Sequence, residues 1–250
     1  MRLDKYLSER TEYSRSQIKE LAAKGCISVN GCVSKKVNMN VSENDIVSIS
    51  GKEIRQEKHI TLIMNKPAGV VSATEDKTEK TVIDILPPEY RNQGISPVGR
   101  LDKDTTGLLL LTNDGNLLHE LSHPKKHIPK YYRAVLDRPF TEEMQRRIAE
   151  GLTLKDGSVC LPARAETTDE KRREILICLH EGKYHQVKRM LAAVGNHVNK
   201  LSRIAMGGMI LPQDLAPGMT TVLLNKDLCK VLNTEDMFSF ILNSIMKCSS

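Results

Sequence analysis

The first fifty residues show two periodicities in their apolar positions. A helical repeat begins at Leu3, and a second one follows Ser14 and Gln17, which have the spacing of a capping box. Residues 27–33 predict a β-hairpin, because two short alternating runs flank an Asn-Gly pair. A further short strand is expected before residue 50. We therefore predict a small module at residues 1–50, which buries little core and works attached to a larger body.

A larger body follows a short charged segment. Residues 51–58 lack periodicity and are assigned to a linker, and residues 59–232 are assigned to one domain. Its strands are expected at 60–64, 69–73, 107–112, 131–136, 174–179, 197–201 and 221–224. Its helices are expected at 81–86, 114–122, 141–150 and 185–194. Because strands and helices do not alternate strictly, we expect an α+β fold with a mixed, mainly antiparallel sheet and flanking helices, rather than a Rossmann fold.

The last eighteen residues, 233–250, are treated as a separate tail. Phe238, Ile241, Leu242 and Ile245 lie on one helical stripe, which is too short to cross a bilayer. A terminal helix that docks on the body is the favoured interpretation. Disorder and a partner-binding segment are the alternatives.

Composition excludes several classes of protein. Of 250 residues, 40% are hydrophobic and 27% are charged, as in ordinary globular proteins. No apolar run reaches the length of a membrane span, and the first residues lack the apolar stretch of a signal peptide, so a cytoplasmic protein without membrane contact is expected. The six cysteines form no C-x-x-C pair, which favours reduced thiols over a zinc site.

Charge hints at a nucleic-acid partner. The formal net charge is +6, and residues 1–36 carry eight basic residues against four acidic ones. Residues 125–133 interleave cations with Tyr131 and Tyr132, a mixture that suits stacking on bases and pairing with phosphates. Alternation along the predicted strand also requires one of these tyrosines to face the core.

The densest polar segment lies at residues 99–107, where glycines bracket a loop that leads into an apolar strand. A buried strand holds such a loop rigidly, which is typical of functional loops. Asp102 and Asp104 are candidate carboxylates, although either could instead cap a turn or pair with Arg100.

A second candidate segment lies at residues 181–190. Lys188 and Arg189 fall near the start of a predicted helix, where cations are disfavoured by the helix dipole. Their placement needs a local reason, such as a carboxylate or RNA phosphates, unless they form a solvated basic face. His185 is interpreted as a structural hydrogen-bonding residue rather than a base or a metal ligand.

Several well-known catalytic motifs are absent from the sequence. It has no Walker loop, no G-x-G-x-x-G, no G-x-S-x-G and no H-E-x-x-H. ATP hydrolysis, nicotinamide chemistry and serine or zinc hydrolysis therefore lose support. Neither a cofactor nor a metal is expected.

Taken together, six motifs resemble the signature of the RsuA-type pseudouridine synthases. They are Lys66-Pro67-x-Gly69, G-R-L-D-x-D-T-T-G-L at 99–108, Lys130-x-Tyr132, E-G-K-Y-H-Q-V-K-R-M at 181–190, Gly207-Gly208 and Asp214-Leu215-x-Pro217-Gly218. The N-terminal R-L-D-K-Y-L is similar to the S4-like (alpha-L) RNA-binding module that precedes the catalytic domain in this family. The resemblance covers residues 1 to about 230 and excludes the tail.

The resemblance implies an isomerase that cleaves the N1–C1′ bond of a uridine in RNA and rejoins the base through C5. The reaction needs neither redox nor phosphate energy, in agreement with the missing cofactor motifs. Asp102 matches the catalytic aspartate, which acts either as a nucleophile at C1′ or as a base at C2′. Lys188 matches the family's basic residue and would keep Asp102 ionised. Tyr132 matches a tyrosine expected to stack on the uracil and to help remove the C5 proton.

The resemblance also implies a set of RNA-binding residues. Arg100 would fill the space that the flipped base leaves, since its planar cation suits stacking and phosphate pairing. The remaining predicted contacts are Leu101, Lys130 and Arg189 in the body and Arg2, Lys5, Arg15 and Lys19 in the N-terminal module.

The predicted substrate is ribosomal RNA within an assembling ribosomal particle. The enzyme is expected to act as a monomer. The Q-V-K-R-M form, with lysine where related branches have arginine, resembles the branch that acts on small-subunit 16S rRNA. Large-subunit 23S rRNA is the alternative target. A non-catalytic RNA-binding factor in ribosome assembly is the alternative from another functional class.

Overall fold

The computed structural model describes every residue except 9, 12, 43, 44, 55–58, 124, 125, 249 and 250. For residues 225, 226 and 248 it describes the backbone but not the side chains. The chain divides into two compact units, Met1–Lys58 and His59–Ser250. None of the helices in the described part of the chain combines the length and apolar character that crossing a bilayer requires.

The N-terminal unit places two helices against a four-stranded antiparallel sheet of order β2-β1-β3-β4. Its elements are α1 (Leu3–Ser8), α2 (Arg15–Ala23), β1 (Ile27–Val29), β2 (Cys32–Val33), β3 (Val47–Ile49) and β4 (Lys52–Ile54). The predicted capping box is confirmed, because the Ser14 N–H donates to Gln17 Oε1 (2.8 Å) and Ser14 Oγ accepts from the Gln17 N–H (3.4 Å). The predicted hairpin is confirmed as well, with Asn30 and Gly31 both at positive φ in its turn.

The predicted linker begins too early. Lys52–Ile54 is strand β4, which pairs with β3, and the Tyr6 hydroxyl donates to the Ile54 carbonyl (3.0 Å). An edge strand tolerates charged side chains because one of its sides faces solvent, so the charge of this segment concealed its strand character. Residues 55–58 of that linker lie outside the described residues.

The second unit is built on a nine-stranded sheet. Its elements are β5 (Thr61–Lys66), α3 (Pro88–Arg91), β6 (Ser96–Pro97), β7 (Thr106–Thr112), α4 (Gly115–Ser122), β8 (Lys130–Leu136), α5 (Glu142–Glu150), β9 (Leu152–Thr153), β10 (Val159–Cys160), β11 (Arg164–Thr167), β12 (Glu174–Leu179), α6 (Gln186–Ala193), β13 (Val198–Met206), β14 (Met209–Ile210), β15 (Thr220–Val222), α7 (Asn225–Val231) and α8 (Phe238–Cys248).

The main path of this sheet runs β11-β12-β8-β13-β7-β5-β15, with β6 beside β7 and β14 beside β13. Among the described strands, β7 and β13 pair in parallel and the other pairs are antiparallel. The expected α+β fold with a mixed, mainly antiparallel sheet is thus confirmed. Strands β9 and β10 form a separate hairpin.

Both faces of the sheet are covered. In β7, Leu109 and Leu111 enter one apolar cluster and Leu108 and Leu110 enter another, so the strand is apolar on both sides. At β8, β12 and β13, the second face is covered by α8, whose Phe238 is completely buried.

Two predicted elements of the second unit are wrong. Residues 69–73 form no strand beyond an isolated bridge from Val71 to Thr81, and residues 81–86 are turns rather than a helix. The Thr81 N–H and hydroxyl both donate to the Asp84 carboxylate, and the Asp84 N–H donates back to the Thr81 hydroxyl. Such local side-chain bonds compete with the backbone bonds of a helix. Val82 and Leu86 therefore reach the core from a turn.

Candidate active site

Lys66, the last residue of β5, anchors the loop of residues 99–105 that precedes β7. This side chain is fully buried, and its Nζ donates to the carbonyl oxygens of Pro67 (3.0 Å), Lys103 (3.2 Å) and Thr105 (2.9 Å). Burial lowers the pKa of Lys66 to about 8, against the nearby carboxylates, which raise it. The ammonium group thus satisfies loop carbonyls that would otherwise be unpaired.

Further bonds fix the backbone on either side of Asp102. The Ser72 hydroxyl donates to the Leu101 carbonyl (3.0 Å) and accepts from the Leu101 N–H (3.1 Å). The Thr105 N–H donates to the Asp102 carbonyl (3.1 Å) and closes a turn. The Asp102 side chain is left 23% exposed, so it is held in place while its carboxylate remains accessible.

Two basic side chains flank the Asp102 carboxylate. Lys188 Nζ lies 3.3 Å from Oδ2, and His185 Nε2 lies 3.4 Å from Oδ1. Lys188 Nζ also lies 2.5 Å from Oδ1 of Asp104, whose side chain is 73% exposed. A cation in the first turn of α6 opposes the helix dipole, and these two carboxylates compensate for that unfavourable position.

The electrostatics of the group keep Lys188 charged. Burial lowers the pKa of Lys188, but the hydrogen bond to Asp104 and the charges of Asp102 and Asp104 outweigh burial, so its net pKa shift is upward. The hydrogen bond from Lys188 lowers the pKa of Asp104 in turn. Lys188 is therefore a cation at neutral pH, in contact with the carboxylate that the sequence singles out.

His185 also belongs to this group, although it was not among the site residues predicted from the sequence. It has a left-handed backbone (φ 48°), and its ring stacks on Tyr184 with 3.8 Å between the centroids. Strained backbone conformations concentrate at functional sites. The sequence carried one signal, since His185 lies three residues before Lys188 at the start of the same helix.

A cavity of about 680 Å³ opens beside Asp102, within the usual size range of small-molecule sites. Six lining residues matter for the chemistry, and they are Arg100, Leu101, Asp102, Lys130, Tyr132 and Arg203. Tyr132 and Leu101 are buried in the wall, whereas Arg100 is exposed. Arg203 was not among the residues predicted from the sequence.

The structure gives the other predicted contacts different surroundings. Lys130 Nζ donates to the Ile128 carbonyl (3.0 Å), and burial lowers the pKa of Lys130 to about 8. Arg189 does not line the cavity described above; it lies 2.6 Å from Asp156.

The four residues of the N-terminal unit that were predicted to bind RNA are all exposed, and they are Arg2, Lys5, Arg15 and Lys19. Arg2 lies 2.8 Å from Asp4. Arg15 and Lys19 are one turn apart on α2 and so share a face of that helix. A charged helix face of this kind suits contacts with phosphates.

In the described ranges, no group of three or more His, Cys, Asp or Glu side chains is placed to hold a metal ion. The chemistry available at the cavity is that of the Asp102 carboxylate with two basic groups next to it, a tyrosine ring, one buried cation (Arg203) and one half-buried cation (Lys130).

Comparison with protein families gives two matches. Residues 60–193 match the family described as RNA pseudouridylate synthase, and residues 1–47 match the S4 domain. The first match contains Asp102, Tyr132 and Lys188, and the second contains both helices of the N-terminal unit.

Curated relatives cover most of the chain. It is 43% identical to an uncharacterised RNA pseudouridine synthase of Bacillus subtilis, with 87% of this chain and 92% of that protein covered. It is 36% identical to ribosomal small subunit pseudouridine synthase A of Vibrio vulnificus, with 87% and 94% covered. It is 38% identical to ribosomal large subunit pseudouridine synthase B of Bacillus subtilis, with 81% and 84% covered.

A solved structure agrees with these matches. The crystal structure of a pseudouridylate synthase is 32% identical in sequence and superposes with a TM-score of 0.66, covering 92% of this chain and 99% of that one.

Proposed function

We propose a ribosomal RNA substrate for this chain, which belongs to the RNA pseudouridylate synthase family and is an RNA pseudouridine synthase with an N-terminal S4 domain. Small-subunit 16S rRNA is the favoured target. The small-subunit synthase of Vibrio vulnificus and the lysine in Q-V-K-R-M both support that choice. The large-subunit synthase of Bacillus subtilis, at a comparable identity, makes 23S rRNA the alternative.

The observation that carries the proposal is the pairing of Asp102 with Lys188 beside the cavity. An aspartate that does chemistry at a ribose acts as the carboxylate anion, and a cation within a few ångströms attracts and positions that anion. Lys188, at 3.3 Å, supplies that charge. His185 Nε2 lies 3.4 Å from the opposite carboxylate oxygen and adds a second basic group there.

In the proposed reaction, the target uridine leaves the RNA stack and its base enters the cavity. The N1–C1′ bond breaks and its electron pair stays with the uracil. The base turns, C5 bonds to C1′, and a proton lost from C5 balances the proton gained at N1. Asp102 acts on the sugar, as a nucleophile at C1′ or as a base at C2′, and both routes require its ionised form.

Tyr132 and Arg100 have separate roles in this proposal. Tyr132 is buried in the cavity wall, where its ring stacks on the uracil and its hydroxyl helps to remove the C5 proton. Arg100 is exposed on the same loop as Asp102, so it can fill the gap that the flipped base leaves. Flipping costs a few kcal/mol, and a filled gap offsets part of that cost.

The two units divide the work in this proposal. The S4 domain binds rRNA through Arg2, Lys5, Arg15 and Lys19, and residues 59–232 carry the catalysis. The enzyme acts as a monomer on an assembling ribosomal particle in the cytoplasm. A chain lacking the whole N-terminal unit, Met1–Lys58, should bind rRNA more weakly, and with less salt dependence, while the body keeps a cooperative melting transition. Loss of that transition would contradict the division.

The experiment that tests the substrate is a map of pseudouridines in both ribosomal RNAs. A strain lacking the gene is complemented with the wild-type chain or with Asp102→Asn. We expect one 16S pseudouridine to vanish without the gene and to return only with the wild-type chain. A vanished 23S site would select the alternative target. Unchanged maps of both RNAs would overturn a ribosomal substrate.

A further inference from the structure

Arg203 is a charged side chain in the middle of the sheet, and a bulge in β13 determines which way it faces. Arg203 pairs with Tyr132 and Ala205 pairs with Tyr131, so Ile204 is the extra residue between the two pairs. Arg203 therefore shares the cavity face with Tyr132, while Ala205 packs with Tyr131 on the other face.

The guanidinium of Arg203 is poorly satisfied by the protein. The side chain is 2% exposed, and its Nε donates to the Leu108 carbonyl (2.8 Å). Its buried Nη2 has no hydrogen-bond partner among the residues that the structure describes. Leaving a charged donor buried and unpaired destabilises the folded protein, so such a group calls for a functional reason.

Lys130 adds a second, half-buried cation at the same wall. It lies on the Tyr132 face of β8, and Arg203 is close enough to lower the pKa of Lys130 further after burial has lowered it. Within the described part of the chain, no carboxylate forms an ion pair with either cation. The carboxylate of Glu181 is engaged by the Leu161 N–H and by Gln186 and Lys183.

We propose that Arg203, with Lys130 beside it, binds the carbonyl oxygens of the uracil and stabilises the negative charge on the base when the N1–C1′ bond breaks. The inference rests on the proposed function and applies to both routes open to Asp102. In each of them the electron pair of the broken bond leaves with the uracil and is shared by O2 and O4. The base takes up a proton at N1 only after C5 has bonded to C1′ and lost its own.

A preorganised cation is suited to this task. Donors that already point at the place where charge develops need no reorganisation, and in a site that excludes water their effect is largest. The protein tolerates an unpaired guanidinium because the substrate supplies its partner. Arg203 and Lys130 would then be catalytic residues for the departing base, as Asp102 is for the sugar.

The test uses the full-length chain and rRNA extracted from a strain that lacks the gene. Single-turnover rates, RNA affinity by fluorescence anisotropy and thermal melting are measured for Arg203→Met, Arg203→Lys and Lys130→Met. Arg133→Met is the matched control, since Arg133 follows Tyr132 on β8 but is exposed and pairs with Glu174.

We expect Arg203→Met to lower the single-turnover rate by about 10²- to 10³-fold while RNA affinity changes less than about 3-fold. Arg203→Lys should recover at least about a tenth of the lost single-turnover rate, because it keeps a cation. Lys130→Met should lower the single-turnover rate by about 10-fold. A folded Arg203→Met with a rate near that of the control would overturn the inference, as would equal losses of rate and affinity.

If Arg203→Met does not fold, the other two variants decide. Wild-type rates in both Arg203→Lys and Lys130→Met would overturn the inference. Its failure is distinct from failure of the proposed function. If the proposed function fails, the wild-type chain makes no pseudouridine in this RNA. If only the inference about Arg203 fails, Arg203→Met is active while Asp102→Asn is inactive.

Discussion

Tyr131 and Tyr132 are consecutive on β8, yet they lie on two very different faces of one sheet. Tyr131 is fully buried under α8, where its hydroxyl accepts from the Met237 N–H (2.9 Å) and burial raises its pKa to about 12. Tyr132 lines the cavity together with Arg203 and Lys130, which form no ion pair with a carboxylate in the described part of the chain. On the Tyr131 face the polar atoms find their partners within the protein. On the Tyr132 face we propose that the substrate supplies the partners of the cations.

This difference shows how one sheet can provide both stability and chemistry. Apolar packing against α8 contributes to the free energy of folding and needs no polar atom in a special position. The cavity face keeps charged groups that burial destabilises, at positions where a substrate can bind them. Substitutions on the α8 face should therefore change the free energy of unfolding, and substitutions on the cavity face should change the rate.

The largest effect on stability is expected from Phe238→Ala on the α8 face. Phe238 is fully buried, and the Arg164 guanidinium lies 4.3 Å from its ring centroid. Truncating it should lower the free energy of unfolding by about 3–5 kcal/mol. Denaturant unfolding measures that loss, and the single-turnover rate at a temperature where the variant is folded should stay within about 2-fold of wild type. A large loss of rate with unchanged stability would break the comparison.

On the cavity side, Lys188→Ala should lower the turnover rate by about 10²-fold or more. The reason is that Asp102 loses the neighbouring cation that attracts and positions its carboxylate. The proposed RNA contacts of the other basic residues are unchanged. Affinity for rRNA should change less than about 3-fold. Lys171→Ala, which removes an exposed lysine in the loop before β12, is the matched control. Equal losses of rate and affinity would make Lys188 a phosphate-binding residue instead.

A smaller effect, on pH dependence, is expected from Asp104→Asn. Burial lowers the pKa of Lys188 and the hydrogen bond to Asp104 raises it, so removing the Asp104 charge must lower that pKa. The alkaline limb of the pH–rate profile should then move to lower pH, with only a few-fold change of rate at neutral pH. Asp156→Asn, which faces Arg189 instead, should leave the limb in place. A limb that is unmoved or moves to higher pH would show that Asp104 does not support Lys188.

Local patterns predicted the elements whose signals are carried by the chain itself. The capping box at Ser14 and the Asn-Gly hairpin turn need no tertiary context, and the apolar run at Leu108–Leu111 marks a strand buried on both faces. The unfavourable position of Lys188 at the start of a helix also pointed to a nearby carboxylate, which the structure shows to be Asp102 together with Asp104.

Other features depend on contacts that no local pattern reveals. A regular strand would put Arg203 and Ala205 on the same face, and the bulge at Ile204 separates them. Residues 81–86 have a helical apolar pattern, but the bonds between Thr81 and Asp84 close a turn instead. The role of Lys66 under the loop depends on carbonyl groups almost forty residues away. Each depends on tertiary partners rather than on sequence neighbours.

The central claim is that the Asp102 carboxylate, held beside Lys188, carries out the chemistry on the ribose. It is tested most directly by single-turnover pseudouridine formation in purified rRNA from a strain lacking the gene, with Asp102→Asn and Asp104→Asn compared at enzyme in excess of RNA. We expect no product from Asp102→Asn, which should still melt like wild type and bind the RNA, and near-normal product from Asp104→Asn. Product at the wild-type rate from Asp102→Asn would contradict the account.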